Sequence, residues 1–216
     1  MKNMEQAHFN MVEQQIRPWN VLDMQVLDLL TKVQREQFAP PTRRDMAFMD
    51  IEIPLGYGAC MWQPKLEART VQELHVGRDD RVLEVGSGSG YLTALLSHLA
   101  AHVTSVEIVP ELHALAEKNL AAQHIGNVTL ALGDAAQGWP GSYDVIVLTG
   151  SVPVLPETFQ NSLMPGGRLF AIVGDAPAMQ AKLITCVTPG VFESATLFET
   201  SVAPLQNTQK PKRFVF

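Results

Sequence analysis

The 216-residue sequence predicts an α/β fold: a mostly parallel sheet with helices on both faces, entered through a helical lead-in and closed by an antiparallel hairpin. Three observations carry this. From residue 81 onward, short β-branched runs alternate with helical stretches. A glycine-rich loop follows the first of those runs and opens a helix. Near the C-terminus, Lys182 to Val187 and Phe192 to Phe198 flank a Pro189-Gly190 turn.

Taken in order, the lead-in runs from Met4 to about Phe38. Phe9, Val12 and Ile16 fall at helical spacing, and Leu22, Val26, Leu29, Leu30 and Val33 form a second stripe. Pro18 separates the two, and Pro40-Pro41 ends the second. Ile51 to Gln63 mixes Gly, Pro and aromatics without a clean period. A helix is expected from Pro64 to Leu74, where a first-turn proline loses no hydrogen bond. Arg81 to Val85 then reads as a strand, Tyr91 to Ala100 as a helix, Val103 to Glu107 as a strand and Pro110 to Gln123 as a helix. Val128 to Leu132, Asp144 to Leu148 and Arg168 to Val173 are further strands, with a helix at Leu155 to Leu163. The expected division is a helical extension with an acceptor-side loop at 1–64 and a ligand-binding domain at 65–216.

Composition excludes several classes. Apolar residues are 46% and charged residues 18%, outside the range of a disordered chain. No apolar run reaches the roughly 18–20 residues of a membrane span, and Met1 to Gln6 carries no signal-peptide apolar region. Cys60 and Cys186 form neither a disulfide framework nor a zinc pattern, so no metal is expected and a cytoplasmic location is. A net charge of −6 gives no footprint for nucleic acid, although Lys210, Lys212 and Arg213 form a small basic patch. No obligate partner is evident.

The sharpest local signal is Val82-Leu83-Glu84-Val85-Gly86-Ser87-Gly88-Ser89-Gly90. Glycines there allow a tight turn and close approach of a ligand. The spacing is GxGxG, and Tyr91 stands where a dinucleotide fingerprint would have its third glycine. Glu107 ends the next strand 21 positions after Gly86, where an acid can accept hydrogen bonds from ribose hydroxyls. Gly133-Asp134-Ala135 ends the third strand, with Asp134 suited to accept from an adenine amino group. These three elements fall at successive strand ends, where open α/β sheets bind ligands.

With the later Pro165-Gly166-Gly167-Arg168-Leu169, the domain resembles a class I S-adenosylmethionine-dependent methyltransferase of Rossmann-like fold. Met11 to Ile16, Ile53 to Gly58, Gln63-Pro64, Arg81 to Glu84, Gly90-Tyr91, Gly133-Asp134, Gly138-Trp139-Pro140, Tyr143-Asp144 and Ala203-Pro204-Leu205 narrow the resemblance to the protein-L-isoaspartate O-methyltransferase family. It covers nearly the whole chain. It implies S-adenosyl-L-methionine as cofactor, S-adenosyl-L-homocysteine as product, and methylation of isoaspartyl carboxyls in damaged proteins. The cofactor residues it implies are Gln63, Glu84, Gly86, Ser87, Gly88, Glu107, Ile108, Gly133, Asp134 and Ala135. Cys60, Met61, Thr149, Gly150 and Ser151 would face the acceptor.

One segment departs from the family. Its usual Gly-x-Thr-Ile-Ser-Gln-Pro stands as Gly58-Ala59-Cys60-Met61-Trp62-Gln63-Pro64, placing Trp62 at the reaction-centre serine. Likewise Leu148-Thr149-Gly150-Ser151-Val152-Pro153 replaces Val-Thr-Ala-Ala-x-Pro. Three readings of Trp62 stand: an indole turned into the core, an apolar wall for a different and flatter acceptor, or a cation–π contact with the sulfonium. A methyltransferase with another acceptor and a non-catalytic cofactor-binding protein are therefore the alternatives. Cys60 has no adjacent base and reads as a small pocket residue. Trp139 is expected under the adenine-side loop and Trp19 as an anchor of the lead-in. His98, His102, His113 and His124 read as helix-side residues, and Arg43 and Arg44 as a solvated loop.

Overall fold

A computed structural model describes residues 2–209, with side chains from Met4 onward. The basic residues Lys210, Lys212 and Arg213 lie outside the described residues. The lead-in forms α1 (Lys2–Met11), a π turn at Val12–Ile16 and a short 3-10 turn at Arg17–Trp19 containing Pro18. Helix α2 (Met24–Lys32) starts at Asp23, whose side chain accepts from the Gln25 amide at 2.8 Å and so satisfies a free helix-start donor.

The stretch without a period holds a small antiparallel hairpin, β1 (Ile53–Gly56) and β2 (Ala59–Met61). Its loop residues, Tyr57 and Gly58, have φ of 55° and 78°, the double positive φ that suits a two-residue hairpin turn. Strands this short show no alternation, which is why the period failed to reveal them. Helix α3 (Pro64–Leu74) follows with the expected bounds.

Strand β3 (Arg81–Val85), α4 (Tyr91–Ser97), β4 (His102–Glu107), α5 (Pro110–Ala122) and β5 (Val128–Leu132) form the first half of the main sheet. The second half comprises β6 (Tyr143–Val152), α6 (Glu157–Asn161), β7 (Leu163–Asp175), β8 (Ala178–Thr188) and β9 (Val191–Thr200). The strand order is β5-β4-β3-β6-β7-β8-β9. β5 to β7 run parallel and the last two additions are antiparallel, so the chain ends in the expected hairpin.

Two expectations are corrected. The helix from Tyr91 stops at Ser97 rather than Ala100. The helix expected at Leu155 to Leu163 shortens to Glu157–Asn161, because Leu163 already pairs with Tyr143 and the strand continues irregularly through Pro165-Gly166-Gly167.

Strand residues alternate between two cores. Val82, Val103, Val145, Val147 and Phe170 face α3, α4 and the lead-in residues Met11, Ile16, Leu30 and Phe38. Leu83, Val85, Ile146, Leu148 and Leu169 face the other side with Phe159 of α6. The lead-in thus shares a core with the sheet, in which β3 lies between β4 and β6. That is the point where strand order reverses and ligands bind. No described helix is long and apolar enough to cross a membrane.

Candidate active site

At the carboxyl end of β3 the chain turns at Gly86, with φ of +100°. A Cβ there would lie 2.2 Å from the Thr149 hydroxyl, which donates to the carbonyls of Val85 and Gly86, each at 2.8 Å. Glycine is therefore required by both backbone and neighbour. Thr149, expected to face the acceptor, spends its hydroxyl tying β6 to this loop.

Glu107 closes the loop from the other side. Its Oε2 accepts from the Gly88 amide at 2.9 Å, and its Oε1 from the amides of Ile108 and Val109, both at 3.0 Å. A carboxylate has about four lone-pair sites, so acceptor capacity remains on Oε2 for a ligand hydroxyl. Ser87 is hydrogen-bonded to Ser105 at 2.6 Å. Asp134 Oδ1 accepts from the Ala136 amide at 2.9 Å and Oδ2 from Asn207 Nδ2 at 2.8 Å, which joins the loop after β5 to the C-terminal segment. Trp139 lies against Gly133, where a Cβ would come within 2.9 Å of the indole.

Glu84 is fully buried. Its Oε2 accepts from Thr93 and Ser105, while Oε1 has no protein partner. Burial pushes this carboxyl up to about 7, the two hydroxyls pull it down, and nearby Glu107 pushes it up again.

These groups line one cavity of about 470 Å³. It brings together Cys60, Met61, Trp62, Glu84, Gly86, Ser87, Gly88, Glu107, Ile108, Gly133, Asp134, Ala135, Thr149 and Gly150. Gln63 and Ser151 do not join that wall. Gln63 precedes α3, its carbonyl accepting from the Leu66 amide. Ser151 is buried and bridges to the C-terminal segment through the Ala203 carbonyl and Leu205 amide, both at 3.0 Å. None of the histidines lines the cavity.

After β2, Trp62 is buried yet lines the cavity, so this residue belongs to core and wall at once. Cys60 is held as the neutral thiol, pushed up to about 12 by burial and by Glu52. The sequence reading missed Arg35, a fully buried guanidinium. It is ion-paired with Glu67, and donates to the Ala47 carbonyl at 3.0 Å and the Trp62 carbonyl at 2.6 Å. Nothing local marks Arg35, because its partners come from three later segments. Glu67, Tyr91 and the Ala203 to Gln206 segment also line the cavity and were not anticipated.

A glycine cradle, an acid at the end of β4 and an orphan buried carboxylate oxygen fit a ligand with a ribose and a cationic end. S-adenosylmethionine has both, so the residues present fit that cofactor. Fold and site together define a Rossmann-like methyltransferase.

The pattern of the family described as protein-L-isoaspartate(D-aspartate) O-methyltransferase matches residues 6–210, and the chain belongs to that family. It is 40% identical over 189 residues to protein-L-isoaspartate O-methyltransferase 1 of Anaeromyxobacter sp. (strain Fw109-5), covering 86% of this chain and 89% of the relative. To the Rhodopseudomonas palustris (strain HaA2) protein of the same name it is 41% identical over 198 residues, covering 90% and 81%. Among solved structures, a Plasmodium falciparum protein assigned to this activity, in complex with S-adenosyl-L-homocysteine, superposes with a TM-score of 0.81. That match has 20% identity and covers 93% of this chain and 99% of the other, a likeness of fold.

Proposed function

We propose that the chain transfers a methyl group from S-adenosylmethionine to the carboxyl of isoaspartyl residues in damaged proteins, in the cytoplasm and without an obligate partner. The single observation that carries this is the closure of the glycine loop on Glu107, in a chain of this family. Gly86, Ser87 and Gly88 would cradle the cofactor, Glu107 would hold its ribose, and Gly133 to Ala135 would border its base. Glu84 would face its ammonium. When bound, the cofactor supplies an electrophilic methyl group on a positively charged sulfur.

A carboxyl of ordinary pKa, roughly 4, is ionised at pH 7, so the acceptor needs no strong base. The chain's contribution is then placement and exclusion of water. Residues 57–62 and 203–206 would wall the acceptor end, with residues 1–64 acting as an acceptor-side unit. Cys60, as a thiol, would contribute shape rather than a nucleophile. The test is label transfer to an isoaspartyl peptide followed by mild base. A carboxyl methyl ester releases its label as methanol; base-stable label would overturn the reading.

A second reading, a different methyl acceptor, is favoured by Trp62. An indole in the cavity wall offers apolar area where the family has a hydroxyl donor.

A further inference from the structure

Tyr91 opens α4 directly after Gly90 and lines the cavity, yet neither the cofactor cradle nor the acceptor wall above uses it. Its side chain is 2% exposed and its hydroxyl is buried without a hydrogen-bond partner. The ring is fixed from two sides. Phe38 packs edge-on at 5.4 Å between centroids, and the Arg35 guanidinium lies 5.0 Å from the ring centre. Burial pushes the phenol up to about 12, so it stays protonated and can donate at neutral pH.

A buried donor without a partner is costly, and a ligand in the cavity that the residue lines would complete it. The same cavity holds the complementary orphan, Glu84 Oε1, a buried acceptor without a partner. A free α-amino acid group can use both, its carboxylate accepting from the donor and its ammonium donating to the acceptor. Resting on the cofactor reading above, we propose that the Tyr91 hydroxyl donates a hydrogen bond to the α-carboxylate of the cofactor's methionine part. Tyr91 then belongs to the binding residues, held in place by Arg35 and Phe38 from the lead-in. The lead-in thereby contributes to cofactor affinity without itself contacting the cofactor. A carboxylate could also come from the acceptor peptide. The position of Tyr91, immediately after the glycine loop and in one cavity with Glu84, favours the cofactor.

The experiment compares the whole protein with Tyr91→Phe by titration calorimetry, using S-adenosylhomocysteine and 5′-methylthioadenosine, which shares the nucleoside and lacks the amino acid. The expected result is about a tenfold or greater loss of S-adenosylhomocysteine affinity with methylthioadenosine affinity unchanged. Methylthioadenosine binding also reports that the variant has folded. Unchanged S-adenosylhomocysteine affinity, or equal losses for both ligands, would overturn the assignment. A raised KM for isoaspartyl peptide with unchanged S-adenosylhomocysteine affinity would overturn it too, by giving the hydroxyl to the acceptor. If the wild-type chain bound neither ligand, the cofactor reading itself would fall, a result distinct from failure at Tyr91.

Discussion

Arg35 donates to the Trp62 carbonyl at 2.6 Å, so a guanidinium from the lead-in fixes the backbone that follows β2 in the cavity wall. The same group is ion-paired with Glu67 and is fully buried, and burial lowers its pKa to about 10. Loop position and lead-in folding are therefore one property. Removing one member of such a pair strands the other charge, at a cost of about 3–5 kcal/mol. Arg35→Met should lose stability of that order in urea denaturation, and Arg35→Met with Glu67→Leu should recover part of it. Full stability in the single variant would contradict the pairing.

Glu107 holds three backbone amides and keeps an acceptor site toward the cavity. Glu107→Ala should weaken S-adenosylhomocysteine binding by about 10–100-fold, the range of a hydrogen bond to a charged group. Calorimetry reads this directly, and unaltered affinity would remove Glu107 from the site.

Gly86→Ala should destabilise the fold and abolish cofactor binding. Backbone strain at positive φ costs about 1–3 kcal/mol, and the new methyl also meets the Thr149 hydroxyl. Thermal unfolding with and without S-adenosylhomocysteine tests both effects.

Glu84 gives a pH dependence with a defined sign. Its carboxyl is raised in the folded state to about 7, so the folded chain binds more protons than the unfolded one between roughly 4.5 and 7. Its contribution to stability is present at the acid end of that window and is lost as pH rises through 7. An ammonium beside Oε1 favours the ionised form, so S-adenosylhomocysteine affinity should rise between pH 6 and 8. Glu84→Gln should flatten both trends, and parallel profiles for the two proteins would contradict the placement.

Trp62→Ser restores a hydroxyl at the family position. It should raise kcat/KM for isoaspartyl peptide by about 10–100-fold if only the missing donor limits the reaction. Loss of a buried aromatic costs about 3–5 kcal/mol, so rates should be read well below the variant's unfolding temperature. No gain would show that other parts of the acceptor end have diverged.

Much of the fold was legible because local chemistry sets it. Pro64 starts α3, β-branched runs define β3, β4 and β5, and Pro189-Gly190 turns β8 into β9. The β1–β2 hairpin was hidden, since strands of four and three residues with a proline leave no period; the signal that could have found it was Tyr57-Gly58 between glycine and alanine. The strand-end part of the cavity wall was legible, at Gly86 to Gly88, Glu107 and Gly133 to Ala135. The partners that fix them were not, because Thr149 on Gly86, Asn207 on Asp134 and Arg35 on Trp62 are contacts across the fold. Ser151 shows the same limit: sequence placed it beside the acceptor, and packing uses it to bind the C-terminal segment.

The most direct measurement is transfer of labelled methyl from S-adenosylmethionine to an isoaspartyl peptide, beside its normal aspartyl twin. Transfer is expected to the isoaspartyl form and none to the twin. No transfer to either, with S-adenosylhomocysteine binding confirmed, would contradict it and direct attention to another acceptor against Trp62.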